Sequence, residues 1–304
     1  MKENDVSING FSIHYVDWPG EGNPIVCAHG LTANCRYMDS LGEKLSPHFR
    51  VIAYDLRGRG DSDKPQNGYN VVQHATDLLG LLNALSLDKP VLLGHSLGAA
   101  VTAYFASQHP DRIHRLILVD GGGGGPKVNY DDLFNKIKPL VERLSQKFQS
   151  VEDYVDAMKS AYGSGWTKYA ETTYRYDAGK NSDDTISSKL TEERALQDFH
   201  ALKDFDPYHT WERIQCPTLF LQAPGDFLGK PPVSDQTATQ VMASVIPNCQ
   251  WVEIKDSNHA TILLGENVAT SDVIRKFLEE PNPKPNINKI KREMYKSLAK
   301  KALG

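Results

Sequence analysis

The stretch Val91-Leu92-Leu93-Gly94-His95-Ser96-Leu97-Gly98 joins an apolar run to a serine that lies between two glycines. The residues that follow, through Gln108, have a helix-like pattern, so the stretch has the form strand, G-x-S-x-G turn and helix. A turn of this kind is sharp, and side chains at positions 94 and 98 would collide with neighbouring backbone. The stretch therefore predicts a nucleophilic serine, Ser96, raised above the end of a strand.

Strand-like and helix-like segments alternate on both sides of this turn. Short, mostly apolar runs are typical of parallel strands that are covered on both faces. The runs lie at 24–28, 50–54, 91–93, 115–119, 217–221 and 250–254. Asn9-Gly10, between two alternating runs, predicts a hairpin with a type I′ turn. The predicted fold class is α/β, with a mostly parallel central sheet and helices on both faces.

A polar segment rich in aromatic residues interrupts the alternation at residues 126–212. It contains 13 of the chain's 27 aromatic residues, which either form a core of their own or line a pocket against the sheet. Its pattern predicts helical stretches from Leu133 to Phe148 and from Val151 to Tyr162. The alternation resumes afterwards, so we predict an inserted helical layer rather than a second tandem domain.

The expected division is a core of residues 1–125 and 213–280, an insertion of 126–212, and a linker with a basic amphipathic helix at 281–304. Four apolar residues recur at helical spacing in this helix: Ile287, Ile290, Met294 and Leu298. We expect the helix to dock onto the acidic core, with binding to a partner or an anionic membrane surface, or a frayed tail, as the alternatives.

Composition excludes several classes of protein. The 304 residues carry a net charge of -4, which argues against nucleic-acid binding, and no apolar run approaches the ~18 residues of a membrane span. The first residues lack the apolar core of a signal peptide, so a cytoplasmic location is expected. The four cysteines show no disulfide or zinc spacing, and free thiols are predicted. The last 24 residues carry a net charge of +6, so the rest carries -10.

A serine nucleophile needs a base and an acid that orients it. His259 follows the run at 250–254 after a short polar loop, at the strand end where ligands bind in open α/β sheets. Asp226 follows the run at 217–221 and is the favoured acid. Asp120 ends the run at 115–119 and is the rival, while Asp256 lies too near His259 along the chain. The predicted catalytic residues are Ser96, Asp226 and His259.

The oxyanion of a tetrahedral intermediate needs two N–H donors. The N–H of Leu97, directly after the nucleophile, is one, and the N–H of Leu31, after the strand at 24–28, is the other. With these residues the chain resembles an α/β-hydrolase of the lipase, esterase and haloperoxidase-like type over 5–125 and 213–280. The resemblance rests on His29-Gly30-Leu31, Asp55–Ser62 with the form D-x-R-G-x-G-x-S, the Ser96 turn, Gly225-Asp226 and Asn258-His259.

The resemblance implies that the insertion is a cap or lid and that Asp55 is chiefly structural. Asn258 replaces the glycine that often precedes the histidine, and asparagine tolerates left-handed backbone. The implied reaction is acyl transfer from an ester or lactone to water, with no metal or organic cofactor, and the long aromatic insertion suits bulky substrates, including macrocyclic lactones. Thioesterase, amidase and carbon–carbon bond hydrolase chemistry remain open, as does a weakly catalytic receptor that binds a ligand.

Overall fold

The computed structural model describes residues 1–122, 129–234, 236–286, 293–295 and 297. Its centre is an eight-stranded sheet. Its strands are β1 (Lys2–Ile8), β2 (Phe11–Trp18), β3 (Ile25–Ala28), β4 (Val51–Tyr54), β5 (Val91–His95), β6 (Arg115–Val119), β9 (Thr218–Gln222) and β10 (Cys249–Glu253). The strands β7 (Ala178–Lys180) and β8 (Ile186–Ser188) form a separate two-stranded sheet.

The order of strands across the sheet is β1-β2-β4-β3-β5-β6-β9-β10. In this sheet β4, β3, β5, β6, β9 and β10 are parallel to one another, and β1 and β2 are antiparallel at one edge. Asn9 and Gly10 join β1 to β2 with φ angles of 47° and 87°, as a type I′ turn requires. The predicted α/β class and mostly parallel sheet are confirmed.

Helices cover both faces of this sheet. Those of the core are α1 (Asp39–Leu45), α2 (Val71–Ala84), α3 (Leu97–Gln108), α9 (Gln236–Val245), α10 (Thr261–Leu264) and α11 (Ala269–Glu279), with a short 3-10 helix at Cys35–Met38. Two clusters of buried apolar side chains lie one on each face of the sheet, and most apolar side chains of the parallel strands belong to one or the other. The strands are buried on both sides because helices pack on both faces, which explains their apolar composition.

The segment between β6 and β9 is mainly helical, and its described part, residues 129–212, is called the inserted segment below. Its helices are α4 (Tyr130–Glu142), α5 (Val151–Tyr162), α6 (Lys168–Asp177), α7 (Glu192–Ala201) and α8 (Pro207–Glu212). The helix predicted through Phe148 ends at Glu142 instead, because Phe148 exchanges two backbone hydrogen bonds of 2.8 Å with Ile186. Much of its aromatic content forms a small core around Tyr154 and Tyr174.

The C-terminal residues that the structure describes contact the sheet. The Asn286 side-chain amide bonds the backbone of Trp251 in β10 twice: its Oδ1 accepts from the N–H at 2.8 Å, and its Nδ2 donates to the carbonyl at 2.6 Å. Tyr295 packs against the core and Met294 is half exposed, so Met294 does not belong to the buried face that the helical spacing predicted. Ile287, Ile290 and Leu298 of that spacing lie outside the described residues. No helix among the described residues combines the length and apolar character of a membrane span.

Candidate active site

Ser96 lies in the turn between β5 and α3 and has a strained backbone, with φ 54° and ψ -116°. A Cβ atom on Gly94 would overlap the carbonyl oxygen of Gly98, and one on Gly98 would overlap the carbonyl oxygen of Ala28. The two glycines are therefore required by close backbone approach, as the sequence predicted. The turn places the Ser96 side chain on a cavity beyond the carboxyl ends of the strands.

His259 lines the same cavity and forms a short hydrogen bond with a buried carboxylate. Its Nδ1 atom lies 2.6 Å from Oδ2 of Asp120, the residue directly after β6. The other carboxylate oxygen of Asp120 accepts a hydrogen bond of 3.2 Å from the backbone N–H of Ala223. Since Asp120 occupies Nδ1, the remaining ring nitrogen of His259 is the one available to a serine hydroxyl.

Asp226, which the sequence favoured as the orienting acid, does not contact His259. Its loop continues past β9 until Gly225 pairs with the loop before His259, with its N–H donating to the carbonyl of Ser257 at 2.9 Å. Asp226 is exposed and lies on a neighbouring surface depression, not on the cavity of Ser96. Asp120 lies beside His259 instead, because it follows its strand without an intervening loop. The prediction of Asp226 is wrong on this geometry.

His95, within the G-x-S-x-G turn, contacts His259 and helps to hold it in position. Its Nε2 donates a hydrogen bond of 2.9 Å to the carbonyl of His259, and the two ring centroids are 4.6 Å apart. Tyr37 stacks on the other side of the His95 ring at 5.2 Å. Burial, followed by the nearby His259, lowers the pKa of His95 well below its ordinary value, so the ring stays neutral. Sequence spacing gave no signal for this positioning role.

The two predicted oxyanion donors belong to two different elements next to Ser96. Leu97 is the first residue of α3, where a backbone N–H has no partner inside the helix. The loop that contains Leu31 is fixed by Arg59, whose Nη2 donates to the Leu31 carbonyl at 3.1 Å. Gly30 brings this loop close, since a Cβ atom there would lie 3.2 Å from Cβ of Ser96. Both N–H groups remain predicted donors.

The cavity at Ser96 has a volume of about 50 Å³. One wall comes from the core and the other from the inserted segment. Each wall carries a neutral tyrosine hydroxyl, because burial raises the pKa of Tyr37 in the core and of Tyr162 in the inserted segment well above the ordinary value. The lining from the inserted segment consists of Ile137, Leu140, Tyr162, Thr173, Tyr174 and Asp177, and that from the core includes Leu31, Asn34, Tyr37, His95, Phe227 and His259.

Comparison with known proteins supports this fold. Residues 23–266 match the family model described as alpha/beta hydrolase fold. The chain belongs to the α/β-hydrolase family. The match begins just before β3 and ends after His259, so it includes the whole cavity described above.

Individual relatives resemble parts of the chain. It is 40% identical over 120 residues to the soluble epoxide hydrolase of Corynebacterium sp. strain C12, covering 40% of this chain and 42% of that protein. It is 38% identical over 101 residues to the 2-(acetamidomethylene)succinate hydrolase of Mesorhizobium japonicum, covering 33% and 36%. The chain thus spans about two fifths or less of these relatives. The crystal structure of E-2-(acetamidomethylene)succinate hydrolase superposes with a TM-score of 0.81 at 22% identity, covering 92% of this chain and 99% of that one.

Proposed function

We propose that the protein is a serine hydrolase that cleaves a carboxylic ester or lactone through an acyl-enzyme intermediate. The observation that carries the proposal is the 2.6 Å hydrogen bond between His259 Nδ1 and Asp120, on a cavity that His259 shares with Ser96. A histidine oriented by a buried carboxylate is the arrangement that activates a serine hydroxyl. Membership of the hydrolase family supports the reaction class but does not select the bond that is cleaved.

In the proposed mechanism, Ser96 attacks the acyl carbon while His259 accepts its proton. Asp120 stabilises the imidazolium that forms, and the N–H groups of Leu31 and Leu97 bind the oxyanion. His259 then returns the proton to the leaving alcohol, and water repeats the sequence on the acyl-enzyme. A serine nucleophile distinguishes this chain from epoxide hydrolases and haloalkane dehalogenases, whose nucleophile at the corresponding turn is an aspartate.

The cavity favours a small acyl group. The cavity volume is about 50 Å³, whereas pockets for drug-sized ligands measure about 300–1,000 Å³. A cavity of this size favours a small acyl group over the bulky or macrocyclic lactones that the aromatic insertion suggested. We propose that the inserted segment acts as a cap over a small ester or lactone.

Hydrolysis of p-nitrophenyl acetate by the wild type and by Ser96→Ala tests the proposal. We expect the wild type to release an initial burst of p-nitrophenol and Ser96→Ala to lose activity by about 10⁴-fold or more. Ser145→Ala is the matched control, because Ser145 is exposed in the inserted segment and bonds only the carbonyl of Glu142 among the described residues. A thioester, an amide and a vinylogous diketone measured in parallel distinguish the other reactions open to the same triad.

A receptor that binds a ligand without catalysis predicts a different result. Wild type and Ser96→Ala would then hydrolyse every compound equally slowly, and a phosphonate probe would leave the mass of the wild-type chain unchanged. Either observation would overturn the proposed reaction. A probe adduct on Ser96 with amide turnover and no ester turnover would instead keep the nucleophile and move the substrate to an amide.

A further inference from the structure

Three side chains that commonly bind metal ions meet outside the cavity of Ser96. They are His14 of β2, Cys35 of the 3-10 helix and Asp55, the residue after β4. One ligand atom from each lies within 4.8 Å of the other two, and all three residues are buried. The cysteine spacing along the sequence gave no sign of this cluster, because its three residues come from three different elements.

The His14 ring is oriented as histidines are in metal sites. Its Nδ1 lies 3.0 Å from Oδ1 of Asp5, so the carboxylate holds the proton on that nitrogen. The Nε2 atom is buried, and has no hydrogen-bond partner among the described residues. A histidine that donates one N–H to a carboxylate presents the lone pair of the other nitrogen to a metal. A buried nitrogen without a hydrogen-bond partner is unfavourable, and a bound ion would satisfy it.

Asp55 and Cys35 complete the set of donors. The Asp55 carboxylate accepts hydrogen bonds from the backbone N–H groups of Cys35 at 2.7 Å and Asp61 at 2.9 Å, and from the hydroxyl of Tyr176 at 2.5 Å. Oδ1 accepts one of these bonds and Oδ2 accepts two, and the Cys35 thiol is a further hydrogen-bond partner of the carboxylate. A bound metal ion would take the place of the thiol proton. Burial raises the pKa of the Cys35 thiol well above its ordinary value, so this cysteine is not a reactive thiolate in the absence of a metal.

We propose that His14 Nε2, Cys35 Sγ and an Asp55 carboxylate oxygen bind a divalent metal ion, with Zn²⁺ as the preferred ion. Atoms that lie within 4.8 Å of one another share a point at about 2.8 Å or less from each, so shifts below about 1 Å bring them to Zn–N, Zn–S and Zn–O bond lengths of about 2.0–2.3 Å. The metal displaces the thiol proton to solvent. The thiolate and the Asp55 carboxylate then balance its two positive charges.

The surroundings fit a structural role. Tyr176 belongs to α6 of the inserted segment, so its bond to Asp55 places the site where the inserted segment meets the core. The ammonium group of Lys189, which lies over the Tyr176 ring, is paired with Asp61 at 2.7 Å rather than directed at the ligands. A bound ion is therefore expected to tighten this junction and raise the melting temperature. The inference does not depend on the proposed hydrolase activity.

Titration of chelator-treated protein with Co²⁺ and Zn²⁺ tests the site. We expect one equivalent of Co²⁺ to produce a thiolate-to-metal absorption band that Zn²⁺ abolishes, with a Zn²⁺ dissociation constant on the order of micromolar or below. Cys35→Ser is expected to remove the band and Asp5→Asn to weaken Zn²⁺ binding by about 10–100-fold. Cys216→Ser is the matched control, since Cys216 is another buried free thiol.

Absence of a thiolate band in the wild type, or an unchanged band in Cys35→Ser, would overturn the proposal. The wild-type measurement decides the question even if Cys35→Ser does not fold. Unchanged Zn²⁺ affinity in both Cys35→Ser and Asp5→Asn would likewise show that the ion binds elsewhere. His14, Cys35 and Asp55 would then form a hydrogen-bonded cluster only.

Discussion

At the scale of single residues, His29 shows how the loop beside Ser96 is held in place. Its Nδ1 donates to the carbonyl of Gly30 at 2.8 Å, and its Nε2 accepts from the N–H of Leu56 at 3.0 Å. This pairing requires a neutral ring, and burial lowers the pKa of His29 to about 4. The loop that carries the predicted oxyanion donor Leu31 therefore depends on a histidine that cannot be protonated without cost.

This gives a prediction for the pH dependence of stability. Below the ordinary histidine pKa of about 6.5 the unfolded chain binds a proton that the folded chain excludes, so the free energy of unfolding falls as the pH falls towards 4. The contribution of His29 is about 2 kcal/mol between pH 7 and pH 5, and it is constant above pH 7. Urea unfolding of the wild type and His29→Gln at both pH values measures it.

The comparison with His29→Gln removes other titrations from the result. Burial raises the pKa of Asp39 to about 7, which acts in the opposite direction, but both proteins contain Asp39. We expect the wild type to lose about 2 kcal/mol more than the variant between pH 7 and pH 5. Equal losses in the two proteins would show that His29 is protonated in the folded state.

Sequence reasoning at this scale predicted Ser96, Asp226 and His259, and the structure places Asp120 rather than Asp226 beside His259. The strands before Asp120 and Asp226 are neighbours in the sheet and end at the same edge, so strand order alone leaves both within reach. What separates them is the path of the loop after β9, where Gly225 pairs with Ser257 and leaves Asp226 exposed. That pairing is a long-range contact, and no local pattern encodes it.

At the scale of elements, a buried ionic cluster joins the inserted segment to the core. Asp198 of α7 forms an ion pair with Arg59 at 2.6 Å and a hydrogen bond with His74 of α2 at 2.9 Å, and all three side chains are completely buried. Burial alone would raise the pKa of Asp198, but His74 and Arg59 hold it below its ordinary value. The charge of Arg59 is compensated here by the inserted segment.

Replacement of Asp198 is therefore expected to weaken the attachment of the inserted segment. Asp198→Ala leaves the Arg59 guanidinium buried without its counter-ion, and we expect the free energy of unfolding to fall by about 3–5 kcal/mol. Glu142→Ala removes an exposed ion pair with Lys138 on the same segment and should change little. Chemical denaturation of both variants checks this. Similar values for the two would contradict the proposed compensation of Arg59.

Elements were more predictable than the contacts between them. Strands and helices of the core follow from apolar runs and turn residues, which are local signals, and α3 and α5 have the predicted bounds. The end of α4 was misplaced because Phe148 pairs with Ile186, a residue 38 positions later. The cluster of Asp198, Arg59 and His74 was not predicted, since its members are ordinary charged residues at unrelated positions.

At the scale of the whole molecule, two described C-terminal residues contact the core. The side-chain amide of Asn286 bonds the N–H and the carbonyl of Trp251 in the edge strand β10, as the backbone of a further strand would. Tyr295 packs against the core, and its hydroxyl bonds Gln240 of α9. These contacts support docking of the basic tail, with its charge of +6, onto an acidic body.

Truncation after Glu280 is accordingly expected to destabilise the protein. Loss of the Asn286 hydrogen bonds and of the Tyr295 contact should cost roughly 2–4 kcal/mol, which lowers the melting temperature by several degrees. Asn286→Ala removes only the contact with β10 and should cause a smaller decrease. An unchanged melting temperature in the truncated protein would contradict docking.

The central claim, that Asp120 orients His259 for attack by Ser96, is tested most directly by kcat/KM of two matched variants. For p-nitrophenyl acetate we predict that Asp120→Asn lowers kcat/KM by about 10³–10⁴-fold, because the amide can no longer stabilise the imidazolium. Asp226→Asn should remain close to the wild type, since Asp226 is exposed and away from the cavity. A large loss in Asp226→Asn with near wild-type activity in Asp120→Asn would contradict the account.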